Sequence, residues 1–213
     1  MTYLVIEGLD CAGKTTQWNL LRQKSNAPLL DLPLIESIKS NTPPPPIVFV
    51  KEPSETPLGR LTRELTSRGA LGARARFLLF LAQRAELMEC LSGLDCKVVS
   101  DRSLLSGVAY ATEFSIEAAL ELNLLSTGGA LPAKVAFLQL SPHELRKRMT
   151  AKRLESGLDE IESLGFEYLD EVQDRFSALV SLMAKEWNLQ IEFFDATMSR
   201  TALHENISRF FGI

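Results

Sequence analysis

The sequence predicts an α/β fold, a five-stranded parallel sheet flanked by helices on both faces. Three observations predict it. Five short runs rich in β-branched or aromatic residues recur at residues 3–6, 47–50, 97–100, 135–140 and 190–194. Longer stretches with helical spacing separate them, at 14–24, 71–91, 116–125, 142–154 and 166–186. Strand and helix in alternation build a parallel sheet covered on both sides. Third, the first strand runs directly into a glycine-rich loop, "GLDCAGKT" at residues 8–15. In sheets of this kind ligands gather at the carboxyl ends of the strands, so a motif that directly follows a strand carries weight.

Each element follows from its residues. The run "YLVI" reads as a buried first strand, and a helix begins near Lys14. Residues 25–46 resist the alternation, because four consecutive prolines, Pro43 to Pro46, exclude both helix interior and central strand. This segment reads as a surface excursion with an extended, polyproline-like end, serving as a stiff connector or as a ligand for a proline-recognising partner. "IVFV" is the second strand, followed by the long helical stretch over 71–91. "KVVS", "VAFLQL" and "QIEFF" supply the remaining strands, with helices over 116–125, 142–154 and 166–186 between them. No internal repeat or domain linker is visible, so residues 1–213 are expected to form a single domain.

Composition narrows the functional classes. At 213 residues, 46% apolar and 23% charged, the chain suits a soluble globular domain with a sizeable core. A net charge of −4 argues against nucleic acid as a partner, though not against a small anionic ligand held by a few local cations. The three cysteines, Cys11, Cys90 and Cys96, are odd in number and lack metal-ligand spacing; reduced thiols or a redox pair at Cys90 and Cys96 are the two readings. The longest apolar run, "FLLFLA" at residues 77–82, is far short of the ~20 residues that cross a bilayer. With no signal-peptide pattern and no expected membrane partner, the chain reads as cytoplasmic.

The loop carries chemistry. Gly8, Gly13, Lys14 and Thr15 satisfy the phosphate-binding pattern, with Leu9, Asp10, Cys11 and Ala12 between the glycines and Thr16 after it. Glycines let backbone N–H groups turn inward toward phosphate oxygens, and the helix start adds its positive dipole end. Lys14 brings a charge to the β- and γ-phosphates, while Thr15 offers a hydroxyl to Mg²⁺. A ligand-free glycine turn is the competing reading. The fold expected is therefore of the P-loop NTPase type, with ATP as the ligand of residues 8–16.

The loop does not say what receives the phosphate. Further along stand "VFVKEPSETPLG", "FLLFLAQRAE", "VVSDRSLLSGVAY" and "FLQLSP", in that order after "VIEGLDCAGKTTQ". Together these stretches resemble thymidylate kinase over nearly the whole chain. The resemblance implies transfer of phosphate from Mg·ATP to dTMP, a helical lid over about residues 148–162, and a homodimer.

The resemblance also implies site residues. Lys51 and Arg102, at or just beyond strand ends, would hold the dTMP phosphate; a surface salt bridge is the alternative for each. Phe80 would stack on thymine and Arg84, four residues on, would reach a carbonyl of the base; without the resemblance "FLLFLA" reads as core. Asp10 would accept from the sugar 3′-hydroxyl. Asp101 would steer Mg²⁺ through water. Ser106, Gly107 and Tyr110 would complete the pocket wall, and Arg148 would contact the adenine nucleotide. Some members carry a catalytic arginine inside the phosphate loop, where this chain has Cys11 and Ala12, so Lys152 and Arg153 in the lid are expected to supply that cation. A solvated basic helix face is the alternative there. This chain departs from the pattern at Lys51, where arginine is usual, at Ser103, where a ring commonly follows the "DR" pair, and at Glu160, where an arginine is often found.

Other activities remain open on residues alone. A deoxynucleoside kinase would need a carboxylate base, which Glu52 nominally supplies. A P-loop ATPase switch or a non-catalytic nucleotide-binding module would explain the loop but not the ordered set of stretches.

Overall fold

The computed structural model describes residues 1–40, 42–69, 71–155, 165–187 and 189–213, with the side chains of Arg153 and Glu155 outside that description. A five-stranded sheet carries β1 (Thr2–Gly8) at its centre, in the order β2-β3-β1-β4-β5. The others are β2 (Ile47–Lys51), β3 (Lys97–Asp101), β4 (Lys134–Gln139) and β5 (Gln190–Asp195). Every pairing is parallel, as the sequence predicts.

Strand alternation explains how both faces are buried. Leu4 and Ile6 of β1 join Phe49 and Val99 in one apolar cluster, while Tyr3 and Val5 join Val48, Val50 and Val98 in another. Successive side chains point to opposite faces, so a strand covered on both sides reads as a continuous apolar run. The first cluster packs against α8 (Phe166–Trp187), whose Leu169, Val172, Phe176, Leu179, Val180 and Met183 are buried at helical spacing. The second includes Leu87, Met88 and Leu91 of α4 (Ala73–Leu91). Helices α1 (Lys14–Ser25), α6 (Ile116–Ser126) and α7 (Pro142–Glu155) also lie where the spacing places them.

Four helices add to the sequence reading. The excursion over residues 25–46 is not simply extended, since it contains α2 (Leu32–Lys39). Asp31 caps it by accepting from the Leu34 N–H at 3.0 Å, and Ile35 and Leu30 are buried. Residues 28–30 run beside the outer edge of β2, with the Leu30 N–H donating to the Phe49 carbonyl and the Phe49 N–H to that of Pro28. The excursion thus covers an edge that would otherwise expose unpaired backbone groups. The other additions are α3 (Pro57–Ser67), α5 (Leu104–Ala109) and α9 (Arg200–Phe211). Thr56, Ser103 and Ser199 cap them with side-chain oxygens.

Register sets the site. Ile6 of β1 and Lys51 of β2 both pair with Asp101 of β3, so β2 and β3 end level and β1 runs on two residues to Gly8. The segments that follow them, from Gly8, Lys51 and Asp101, therefore converge on one edge of the sheet.

Candidate functional site

Backbone geometry at the loop demands its glycines. Gly8 has φ 138°, and a Cβ there would lie 2.4 Å from the Leu138 carbonyl oxygen of the neighbouring strand. Gly13, with φ 94°, precedes the first turn of α1, which no described side chain caps. Its N–H groups and dipole end face the loop, as an anion site requires. Lys14 is buried; its ammonium donates to the Leu9 carbonyl at 2.8 Å and lies 3.7 Å from Asp10 Oδ1. Burial, then the nearby Arg102 charge, pull the Lys14 pKa down against the carboxylates of Asp10, Asp101 and Glu7. Leu9 and Ala12 are buried, Cys11 is half-buried with φ 64°, and Thr15 and Thr16 are exposed.

Two hard oxygen donors meet beside the loop. The Thr15 hydroxyl donates to Asp101 Oδ2 at 2.6 Å. Asp101 Oδ1 is buried and has no hydrogen-bond partner among the described residues. Such a set fits Mg²⁺, which keeps several waters and binds one or two carboxylates together with phosphates. No group of three or more His, Cys, Asp or Glu suited to a metal occurs among the described residues.

A cluster around Arg102 forms the next wall. Arg102 holds a left-handed φ of 74°, secured by its N–H on the Ile6 carbonyl and by the Ser100 hydroxyl on its own carbonyl. Non-glycine residues pay roughly 1–2 kcal/mol for this conformation, so these backbone bonds have strain to offset. Its guanidinium contacts Asp10 Oδ1, donates to Ser106 Oγ at 3.1 Å, and lies over the Tyr110 ring at 5.2 Å from the centroid. The Tyr110 hydroxyl donates to Asp10 Oδ2 at 2.9 Å. Burial alone would raise the Asp10 pKa, but Arg102, Lys14, the Tyr110 bond and the charge of Lys152 outweigh it and hold the carboxyl down at about 2. Asp10 is thereby committed as a carboxylate between the loop and β3.

A cavity of about 220 Å³ opens beside this cluster, lined by Asp10, Phe77, Phe80, Arg84, Arg102, Ser106, Gly107 and Tyr110 among others. Phe80 is half-buried on its wall. Phe77 belongs to the core, as the sequence reading has it, and also lines the cavity, its ring tilted against Phe114 at 4.7 Å. Arg84 is buried and heavily engaged: its Nε and Nη2 donate to the Glu52 carboxylate, Nη1 to Asn123 Oδ1, and Nη2 to the Ser103 carbonyl at 3.2 Å. A guanidinium has five N–H groups, so this set leaves a single Nη1 hydrogen for the cavity. Gly107 makes the arrangement possible, since a Cβ there would lie 2.3 Å from Asn123 Oδ1 and 2.5 Å from Arg84 Nη1.

Some sequence-predicted residues stand apart from the cavity. Lys51 ends β2 level with Asp101, but its ammonium pairs with Glu55 at 2.9 Å and does not line the cavity. Arg148 of α7 donates to the carbonyls of Cys11 and Ala196, tying the phosphate loop to the segment after β5. Lys152 is half-buried on the same helix, with its charge felt at Asp10. The Arg153 side chain, Glu160 and the lid beyond residue 155 lie outside the described residues.

Sequence reasoning missed three buried partners. Glu7 places a buried carboxylate directly after the apolar run of β1, which is itself a signal. Glu52 is Arg84's counter-ion, and Asn123 lies 39 residues beyond the arginine it fixes. No local pattern connects those last two.

Comparison with known proteins adds independent findings. Residues 6–207 match the family described as Thymidylate kinase. A thymidylate kinase of Wolinella succinogenes is 40% identical over 184 residues, covering 85% of either chain. One from Aliarcobacter butzleri is 34% identical over 214 residues, covering 99% of each. Another, from Helicobacter pylori, is 34% identical over 212 residues, covering 98% of this chain and 97% of its own.

Proposed function

The chain belongs to the thymidylate kinase family, and on that premise we propose that it transfers the terminal phosphoryl group of Mg·ATP to dTMP, giving dTDP and ADP. The observation that carries this reading is the convergence of the phosphate loop, Asp101 and Arg102 on one sheet edge beside a cavity walled by Phe80 and Arg84. A donor site and an acceptor site are thus adjacent, which in-line transfer requires.

Phosphoryl transfer needs placement and charge neutralisation more than covalent chemistry. The loop N–H groups and Lys14 hold the ATP phosphates. The acceptor oxygen belongs to a phosphate and is already anionic, so no side chain has to remove a proton. Arg102 carries N–H groups beyond those used on Ser106 and Asp10, and these can grip a phosphate. Lys51 adds a second charge from the end of β2. Phe80 offers a flat apolar face to the base, and the remaining Arg84 N–H faces an oxygen on its edge. Mg²⁺ held near Thr15 and Asp101 would neutralise charge on the ATP phosphates. Lys152 and Arg153 supply the cation that Cys11 and Ala12 do not.

The Glu52 carboxylate is engaged by Arg84 and Gln83 in a buried network. That engagement disfavours Glu52 as the base of a nucleoside kinase. Assembly as a homodimer fits the exposed Leu61, Leu78 and Leu125. Among the described residues no helix is long and apolar enough to cross a membrane; a cytoplasmic location suits a nucleotide substrate. ADP release measured across nucleoside monophosphates tests the reading: dTMP should lead, and Lys14→Ala should abolish turnover in a protein that still folds.

A further inference from the structure

Glu7 is the penultimate residue of β1, fully buried, and makes no direct ion pair among the described residues. Its Oε1 accepts from the Ser103 hydroxyl at 2.8 Å and the Ser106 N–H at 3.1 Å; its Oε2 accepts from the Ser106 hydroxyl at 2.7 Å. The Ser106 N–H is an obligate donor, and both hydroxyls can donate as well. Burial raises the Glu7 pKa, opposed by the Ser106 bond and the Arg102 charge, so the folded state disfavours the charged form of this group.

The anion has a use at the next link. Because the Ser106 hydroxyl gives its hydrogen to Glu7, its lone pair is turned to receive Arg102 Nη1 at 3.1 Å. Arg102 is thereby held from two sides, by Asp10 and by Ser106. We propose that Glu7 is a positioning residue for acceptor recognition, aiming the Arg102 guanidinium through Ser106; the proposal rests on reading Arg102 as the grip on the acceptor phosphate. The same carboxylate anchors Ser103, whose carbonyl receives Arg84, so one buried group fixes the segment where the phosphate-facing and base-facing arginines meet. This gives Ser103 a task at a position where no ring is present: it ties α5 to β1 and caps that helix.

The test compares wild type, Glu7→Gln, Ser106→Ala and the double variant in steady-state kinetics and thermal melting. Each single change should raise KM for dTMP at least ~10-fold, as for loss of a hydrogen bond to a charged group, with KM for ATP within about twofold. The double variant should be no worse than the poorer single variant, because both changes break one chain. Glu7→Gln should melt at or above the wild-type temperature at pH 8, since it removes a buried charge. The proposal is overturned if Glu7→Gln leaves KM for dTMP unchanged, if the two effects simply multiply, or if both KM values rise together with a lowered melting temperature. If Glu7→Gln does not fold, Ser106→Ala decides by the same ratio of KM values. A wild-type enzyme inactive on dTMP would instead overturn the functional reading beneath it.

Discussion

Thr15 and Asp101, 86 residues apart, meet through a hydroxyl-to-carboxylate hydrogen bond of 2.6 Å at the junction of the phosphate loop and β3. The second carboxylate oxygen is buried without a described partner. Asp101→Asn keeps the shape of the site and removes the charge. It should lower kcat by at least ~10²-fold at ordinary Mg²⁺ and raise the Mg²⁺ concentration needed for half-maximal rate, as expected when a metal-steering carboxylate is lost. A Mg²⁺ titration of the rate checks this. An unchanged Mg²⁺ dependence would remove Asp101 from that role.

Arg84 and Glu52 form a buried pair whose side chains are each 2% exposed. Removing one partner strands the other charge in the interior, so Arg84→Ala or Glu52→Ala should each lose about 3–5 kcal/mol of stability, and the double variant less than their sum. Denaturant unfolding measures all three. Gly107→Ala should act differently, displacing Arg84 and Asn123 by steric contact and raising KM for dTMP more than KM for ATP.

The five strands were legible because each is a short run of β-branched and aromatic residues, buried through β1 to β4 and largely exposed in β5. Helices α2 and α5 were not, being only 8 and 6 residues long; α3 and α9 were not read either, and the clearest local signals of all four are single caps at Asp31, Thr56, Ser103 and Ser199. The excursion over residues 25–46 illustrates this: the prolines after the helix masked an Asp31 cap with Pro33 in its first turn. Within the site, contiguous motifs placed Gly8 to Thr15, Asp101, Arg102 and Tyr110 side by side. Partnerships that depend on tertiary contact stayed hidden, such as Arg84 with Asn123 and Glu7 with two serines of another element.

Asp10 and Glu7 pull stability in opposite directions with pH. The Asp10 pKa is lowered to about 2, so its contribution is present above the usual carboxylate range and is lost as pH falls from about 3.8 toward about 2. Glu7 is raised, so the folded state binds more protons than the unfolded one as pH climbs past 4.5, and stability declines through that window. Melting temperatures from pH 3 to 8 should therefore show Asp10→Asn flattening the acid limb. Glu7→Gln should gain on wild type as pH rises. Parallel curves for all three proteins would contradict both assignments.

The central claim is that an anionic acceptor sits between Arg102 and the phosphate loop. The most direct measurement is kcat/KM for dTMP against thymidine, followed by ADP release at fixed Mg·ATP. Thymidine shares the base and sugar but lacks the dianion. The account predicts strong turnover of dTMP, less of dUMP, and very little of thymidine. Thymidine turning over as well as or better than dTMP would contradict it.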